Sequence, residues 1–215
     1  MNPSTAEIIR EYGPFPGVDS VGGVTFDGQN AWMAADDKLV AFDPVSGTAV
    51  RTIDVAAPAG TAFDGQNLFQ IDKDCILKID LETGSVLATI PAPGGGGDSG
   101  LAWAEGSLWV GNYQDRKIRQ VDPETGTVLR TIESNRFVTG VTWVDGDLWH
   151  GTWEGDESNL RRIDPQTGEV FEQLDMPSGV FVSGLESDGG DQFFCGGGNT
   201  PVVRTIRRPK RVKAA

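Results

Sequence analysis

Gly140-Val141-Thr142-Trp143-Val144-Asp145-Gly146 is the stretch that decides the fold, because the chain keeps returning to it. The signature is a glycine, two residues, an aromatic, one or two residues and a second glycine. It recurs as Gly23-Val24-Thr25-Phe26-Asp27-Gly28, Gly60-Thr61-Ala62-Phe63-Asp64-Gly65 and Gly100-Leu101-Ala102-Trp103-Ala104-Glu105-Gly106. A weaker fifth copy is Gly184-Leu185-Glu186-Ser187-Asp188-Gly189. The closing glycines stand 37, 41, 40 and 43 residues apart, and a fixed period of that size signals a repeat architecture.

A second marker keeps the same beat: Asp43-Pro44-Val45-Ser46-Gly47, Asp80-Leu81-Glu82-Thr83-Gly84, Asp122-Pro123-Glu124-Thr125-Gly126 and Asp164-Pro165-Gln166-Thr167-Gly168. Here an aspartate can accept local amides, proline presets φ and glycine takes the left-handed position before the next strand. Short β-rich runs such as Leu108-Trp109-Val110-Gly111 and Val128-Leu129-Arg130-Thr131-Ile132 lie around these turns. Each period therefore holds four short strands joined by tight hairpins, with no competing helical pattern. Such units are propeller blades. The expected fold is all-β, a five-bladed β-propeller of four-stranded blades spanning residues 1–206, with a basic tail at 207–215.

The two ends complete one another. The fifth repeat lacks the Asp-Pro turn and a fourth strand, whereas Ile8-Ile9-Arg10-Glu11-Tyr12 matches Val128-Leu129-Arg130-Thr131-Ile132 position by position. The N-terminal strand is expected to close the last blade and leave no open seam.

Composition limits the function classes. The 215 residues are 38% hydrophobic with 6 tryptophans and 10 phenylalanines, too apolar for disorder. No run of about 18 apolar residues offers a membrane span, no signal-peptide pattern opens the chain, and two cysteines make no disulfide framework. A soluble, cytoplasmic monomer is the expectation. The net charge of −13 argues against a nucleic-acid partner. Charge is uneven: Arg204, Arg207, Arg208, Lys210, Arg211 and Lys213 make the C-terminal end basic.

From Val138 to Val170 the chain resembles the glutamine cyclotransferase family of five-bladed propellers, through Trp143-Val144-Asp145-Gly146-Asp147-Leu148-Trp149, Thr152-Trp153 and Arg162-Ile163-Asp164-Pro165-Gln166-Thr167-Gly168. Leu108-Trp109-Val110-Gly111-Asn112-Tyr113 with Val121-Asp122-Pro123-Glu124-Thr125-Gly126 is similar to streptogramin-lyase-like propellers. The first resemblance implies glutaminyl cyclisation. That family carries an Asn-Glu-x-Glu segment where this chain has Thr139, Gly140, Val141 and Thr142, so both carboxylates are missing there. Glu186 stands at the equivalent of the second one in another blade.

Aligning the repeats gives rings of equivalent residues around a central channel. The innermost ring is Thr25, Ala62, Ala102, Thr142 and Glu186. A lone carboxylate there is expected to have a raised pKa and to act as a general base or metal ligand. A second-strand ring holds Met33, Gln70, Val110, His150 and Cys195, so the only histidine and one cysteine share a register in adjacent blades. His150 is a candidate acid–base residue, and Cys195 a candidate thiolate partner. Trp153 and Glu154 head an acidic loop, Tyr113 is the counterpart of Trp153, and Arg136 with Phe137 opens the fourth blade. These residues are candidates for gripping substrate. Asp98 follows the glycine run 94–97, a candidate lid, and joins Asn112 and Glu186 as candidate ligands of one divalent cation, Ca²⁺, Mg²⁺ or Mn²⁺. No nucleotide or flavin motif is present.

Three readings follow. The first is a metal-assisted hydrolase or lyase of a lactone, ester or phosphoester at the channel mouth, with Glu186 and His150 as its chemistry. The second is a non-catalytic propeller that binds a small ligand or a protein partner. The third is a glutaminyl cyclotransferase.

Overall fold

Residues 3–210 are described by a computed structural model and form five sheets around a central channel. Each blade runs from an inner strand outward in antiparallel order. The second blade is Thr61–Phe63, Asn67–Asp72, Cys75–Asp80 and Val86–Pro91; the third is Asp98–Ala104, Ser107–Asn112, Lys117–Val121 and Val128–Glu133. The fourth is Val138–Val144, Asp147–Glu154, Glu157–Ile163 and Val170–Asp175. In the first blade, Val24–Phe26 and Ala49–Ala57 flank Ala31–Phe42, a span that bends at Asp36. With φ of 56°, Asp36 sits where Lys73 (φ 55°) turns the second blade, so this span supplies both middle strands.

The fifth blade is Leu185–Ser187, Gln192–Gly196 and Val203–Arg207, and its outer strand is Ile8–Tyr12. Tyr12 pairs with Val203 and Glu11 with Arg204, as the sequence match foretold. Two further contacts fasten this end. Ser4–Thr5 adds in parallel to the outer strand of the fourth blade, and the Tyr12 ring packs 4.9 Å from Phe42 of the first. The last strand extends through Arg207, whose guanidinium meets Glu7 at 2.7 Å. Arg208 reaches Asp145. Arg211 and Lys213 of the expected tail lie outside the described residues.

The core is divided among the seams. Five apolar clusters correspond to the five blade-to-blade contacts, for example Phe69, Ile71 and Ile90 against Leu101, Leu108 and Val110 between blades two and three. A second-strand aromatic of one blade packs on the inner-strand aromatic of the next: Phe69 on Trp103 (5.5 Å), Trp109 on Trp143 (5.4 Å) and Phe194 on Phe26 (5.5 Å). Each such burial contributes roughly 1.5–3 kcal/mol. Where Ser187 replaces the inner aromatic, Trp149 packs instead on Phe193, at 4.9 Å.

The two glycines of each repeat do different work. Gly28, Gly65, Gly106, Gly146 and Gly189 have φ between 71° and 97°, and a Cβ on any of them would meet nothing within 4 Å, so they serve turns. Gly23, Gly60, Gly100, Gly140 and Gly184 have ordinary φ but no room. A Cβ on Gly184 would lie 2.5 Å from Val24 N, and one on Gly60 would lie 2.5 Å from Leu101 N. Each of the five abuts the backbone of the next inner strand, and the series returns from Gly184 to Gly23. A closed ring of glycines thus pinches the channel. The Asp-Pro turns also form as expected: Gly47 N donates to Asp43 O at 2.7 Å, and Asp43 Oδ1 accepts from Val45 N at 2.9 Å.

Candidate functional site

Directly over the glycine ring lies a cavity of about 530 Å³. Its floor is the residue preceding each ring glycine, namely Gly22, Ala59, Ser99, Thr139 and Ser183. Its wall comes from the ends of the second strands and their connections to the third strands, with Asp36, Tyr113, Gln114, Trp153 and Asn199, and from Gly96-Gly97-Asp98. Among the described lining residues there are two carboxylates and no lysine, arginine or histidine.

The hydroxyl and indole donors of this cavity are engaged within the protein, Thr139 apart, whereas Gln114 and Asn199 keep exposed side-chain amides in its wall. Ser20 Oγ donates to Asp36 Oδ2 (3.2 Å), Ser99 Oγ to the Val138 carbonyl (2.8 Å), and Ser183 Oγ to the Val21 carbonyl (2.5 Å). Tyr113 donates its hydroxyl to the Trp153 carbonyl (3.2 Å), and the Trp153 indole donates to Gly155 O (3.1 Å). The amides of Val21, Gly22, Gly97 and Gly198 donate within the protein as well. Thr139 Oγ1 has no partner but is fully buried, turned toward Gly151.

Asp98 fastens the glycine loop. Its Oδ2 accepts from Gly94 N at 2.8 Å and its Oδ1 from Asn112 Nδ2 at 3.1 Å. Burial pushes its carboxyl above the usual range, while those two bonds pull it down. The structure therefore brings Asp98 and Asn112 together, as one candidate metal set required. Their oxygens are not free, however, because Asn112 Oδ1 also accepts from Asp115 N at 2.7 Å.

Glu186 is on the other side of the ring. Asp98 precedes its ring glycine by two residues and Glu186 follows its own by two, a separation of about 13 Å along the strand direction. Its Oε2 accepts from Thr25 (3.0 Å), and its Oε1 from Thr142 (2.5 Å) and Ser187 N (2.8 Å). Blades one and four thus both bond to the carboxylate of blade five. Burial pushes its pKa up to about 7 against those three bonds. Glu186 does not meet Asp98 and Asn112, and no group of three His, Cys, Asp or Glu suited to a metal forms among the described residues.

His150 and Cys195 share a register, and for that reason they point into different seams. His150 is buried beside Asn135 and Ile163, between blades three and four. Cys195 packs with Val144, Trp149 and Leu160 between blades four and five, so the fourth sheet stands between the two. Burial depresses His150 to about 4, so it is neutral at pH 7, with Nδ1 3.1 Å from Gly151 O. Burial pushes the Cys195 thiol up, away from thiolate character.

The remaining candidates form one cluster at the rim of blades three and four. Tyr113 stacks on Phe137 at 4.7 Å, with the Arg116 guanidinium 4.1 Å from the Phe137 ring. Glu154 pairs with Arg136 (3.2 Å) and Arg116 (3.4 Å) and accepts from Phe137 N. Trp153 stacks on Phe181 at 4.6 Å. Of this cluster, Tyr113 and Trp153 reach the cavity. Asp36, Gln114 and Asn199 were not foreseen as lining residues. The available signal was their position at the same strand ends and connections as Tyr113 and Trp153.

Solved structures share this architecture. Myxococcus xanthus glutaminyl cyclase superposes with a TM-score of 0.77 at 18% identity, covering 96% of this chain and 98% of that one. The WD40 β-propeller domain of Doa1 gives 0.57 at 16% identity over 88% and 64% of the two chains. Kuenenia stuttgartiensis hydrazine synthase gives 0.53 at 16% identity over 83% and 55%. At these identities the likeness is one of fold. No curated protein matches the sequence. A family model described as a repeat of unknown function (DUF6923) matches residues 53–205, most of the propeller, and the chain belongs to that family.

Proposed function

We propose that the chain is a small-molecule-binding propeller whose site is the cavity above the glycine ring. The cavity itself carries this reading. At about 530 Å³ it has the volume of a ligand pocket, all five blades contribute to its floor, and the ring beneath it gives a fixed bottom. Ligand binding is tested by thermal shift and Trp fluorescence against a small-molecule library. The control is Gln114→Trp, which plugs the mouth from an exposed position. Hits that stabilise the native chain and fail on the plugged variant support the site. Hits indifferent to the plug contradict it.

A second reading is catalytic, and Asp98 favours it. A buried carboxyl with a raised pKa on a cavity wall is suited to general acid–base chemistry on a lactone, an ester or an amine-bearing substrate. The fold likeness to a glutaminyl cyclase supports this reading too. Phosphoesters fit poorly against an acidic wall, and a divalent cation fits poorly because the Asp98, Asn112 and Glu186 oxygens already hold donors. Turnover lost in Asp98→Asn with ligand affinity retained would favour the enzyme. Affinity retained with no turnover in the native chain favours the binding module.

A further inference from the structure

Resting on the reading of the cavity as a ligand site, we propose that it selects a donor-rich organic cation, a ligand headed by a primary ammonium or guanidinium group. Three independent features converge. The first is charge: Asp36 and Asp98 line the cavity and no basic residue among those described does. Lys38, near Asp36 in sequence, turns to Asp37 at 3.8 Å. The second is hydrogen-bond sense. The wall's hydroxyls and indole donate to the protein's own acceptors, so a ligand meets chiefly the lone pairs of Asp36, of the serine and tyrosine hydroxyls and of backbone carbonyls, with the Gln114 and Asn199 amides as the open side-chain donors. An anion would meet the charges of Asp36 and Asp98, with only the Gln114 and Asn199 amides as open side-chain donors to offset its lost hydration. A group with several N–H donors fits. The third is the Trp153 ring, held by Phe181 at 4.6 Å, which offers an aromatic surface to the cation or its carbon stem.

Asp36 is the anchor, because it is exposed and accepts only one bond from Ser20, whereas both Asp98 oxygens hold the glycine loop. The same chemistry could arrive as a free amine or as an arginine side chain of a peptide, and the probes separate these sources. Agmatine is titrated calorimetrically at low salt, in parallel with an N-acetylated arginyl dipeptide, a neutral amide of similar length and glutarate. Agmatine binding weakened at least tenfold by Asp36→Asn, with an unchanged melting temperature, is the expected result. Asparagine tolerates the positive φ at this position. Trp153→Leu should weaken binding less. A dipeptide that outcompetes agmatine assigns the peptide source, and the reverse assigns the free amine. Glutarate or the neutral amide binding in place of agmatine overturns the cation while sparing the cavity. If no library compound depends on the Gln114→Trp plug, the cavity reading itself fails.

Discussion

The channel has two compartments that face each other across the glycine ring, and they are built in opposite senses. Above the ring the wall presents acceptors and negative charge to an open cavity, its hydroxyl donors turned inward. Below it a single carboxylate is met by three donors from its own strand and from blades one and four, with no cation paired to it among the described residues. The upper compartment leaves its bonding capacity for a visitor; the lower one satisfies its own. Under the proposed ligand-site reading, similar residue types serve recognition in one layer and blade cohesion in the next, with the ring between them.

Breaking the ring should have the largest effect. Gly184→Ala places a Cβ against the backbone of Val24 and Gly23, where no side chain can give way. A loss of at least about 4 kcal/mol, or no folded protein, is expected by urea denaturation. Gly146→Ala, at φ 79° in open space, should cost only about 1–2 kcal/mol. Equal costs would mean that the ring glycines are not in close contact. Removing residues 1–13 takes away the closing strand and the Tyr12–Phe42 contact, and a fall in melting temperature far beyond that of a frayed end is expected. An unchanged value would mean the fifth blade is stable without it.

The pH dependence of stability separates the lower compartment from the seam. The Glu186 pKa is raised from 4.5 to about 7 in the folded state, so the native chain holds that proton more tightly and stability falls as pH rises through that window. His150 is lowered from 6.5 to about 4, so stability is lost as pH falls through 6.5 toward 4. Each effect is about 3 kcal/mol, and between pH 4.5 and 6.5 they oppose one another. The native chain should be nearly level there. Glu186→Gln should uncover a rise of about 3 kcal/mol from pH 4 to 6.5, measured by urea midpoints. A variant curve parallel to the native one would contradict the burial of Glu186.

The sequence made the architecture legible because the blade is a local unit whose turns and glycines recur in register, and because Ile8–Tyr12 repeats an outer-strand pattern out of place. The site was only half legible. Alignment put Glu186 in the channel correctly, yet counting from the ring glycine also separates it from Asp98, a distinction that becomes meaningful once the ring is known to pinch. Likewise, a shared register sends His150 and Cys195 into successive seams rather than toward each other. The direction of the cavity's hydrogen bonds was not legible at all. Ser99 donates across 39 residues to Val138 and Ser183 across 162 to Val21, contacts that no local pattern encodes.

One experiment tests the two-compartment account most directly. Backbone amide resonances are followed by NMR while agmatine is added to the native chain. Shifts should be confined to the layer above the ring, at Gly22, Asp36, Ser99, Thr139 and Ser183, and Thr25, Thr142 and Ser187 should stay still. Shifts led by the lower group would place the cation beside Glu186 and contradict the account.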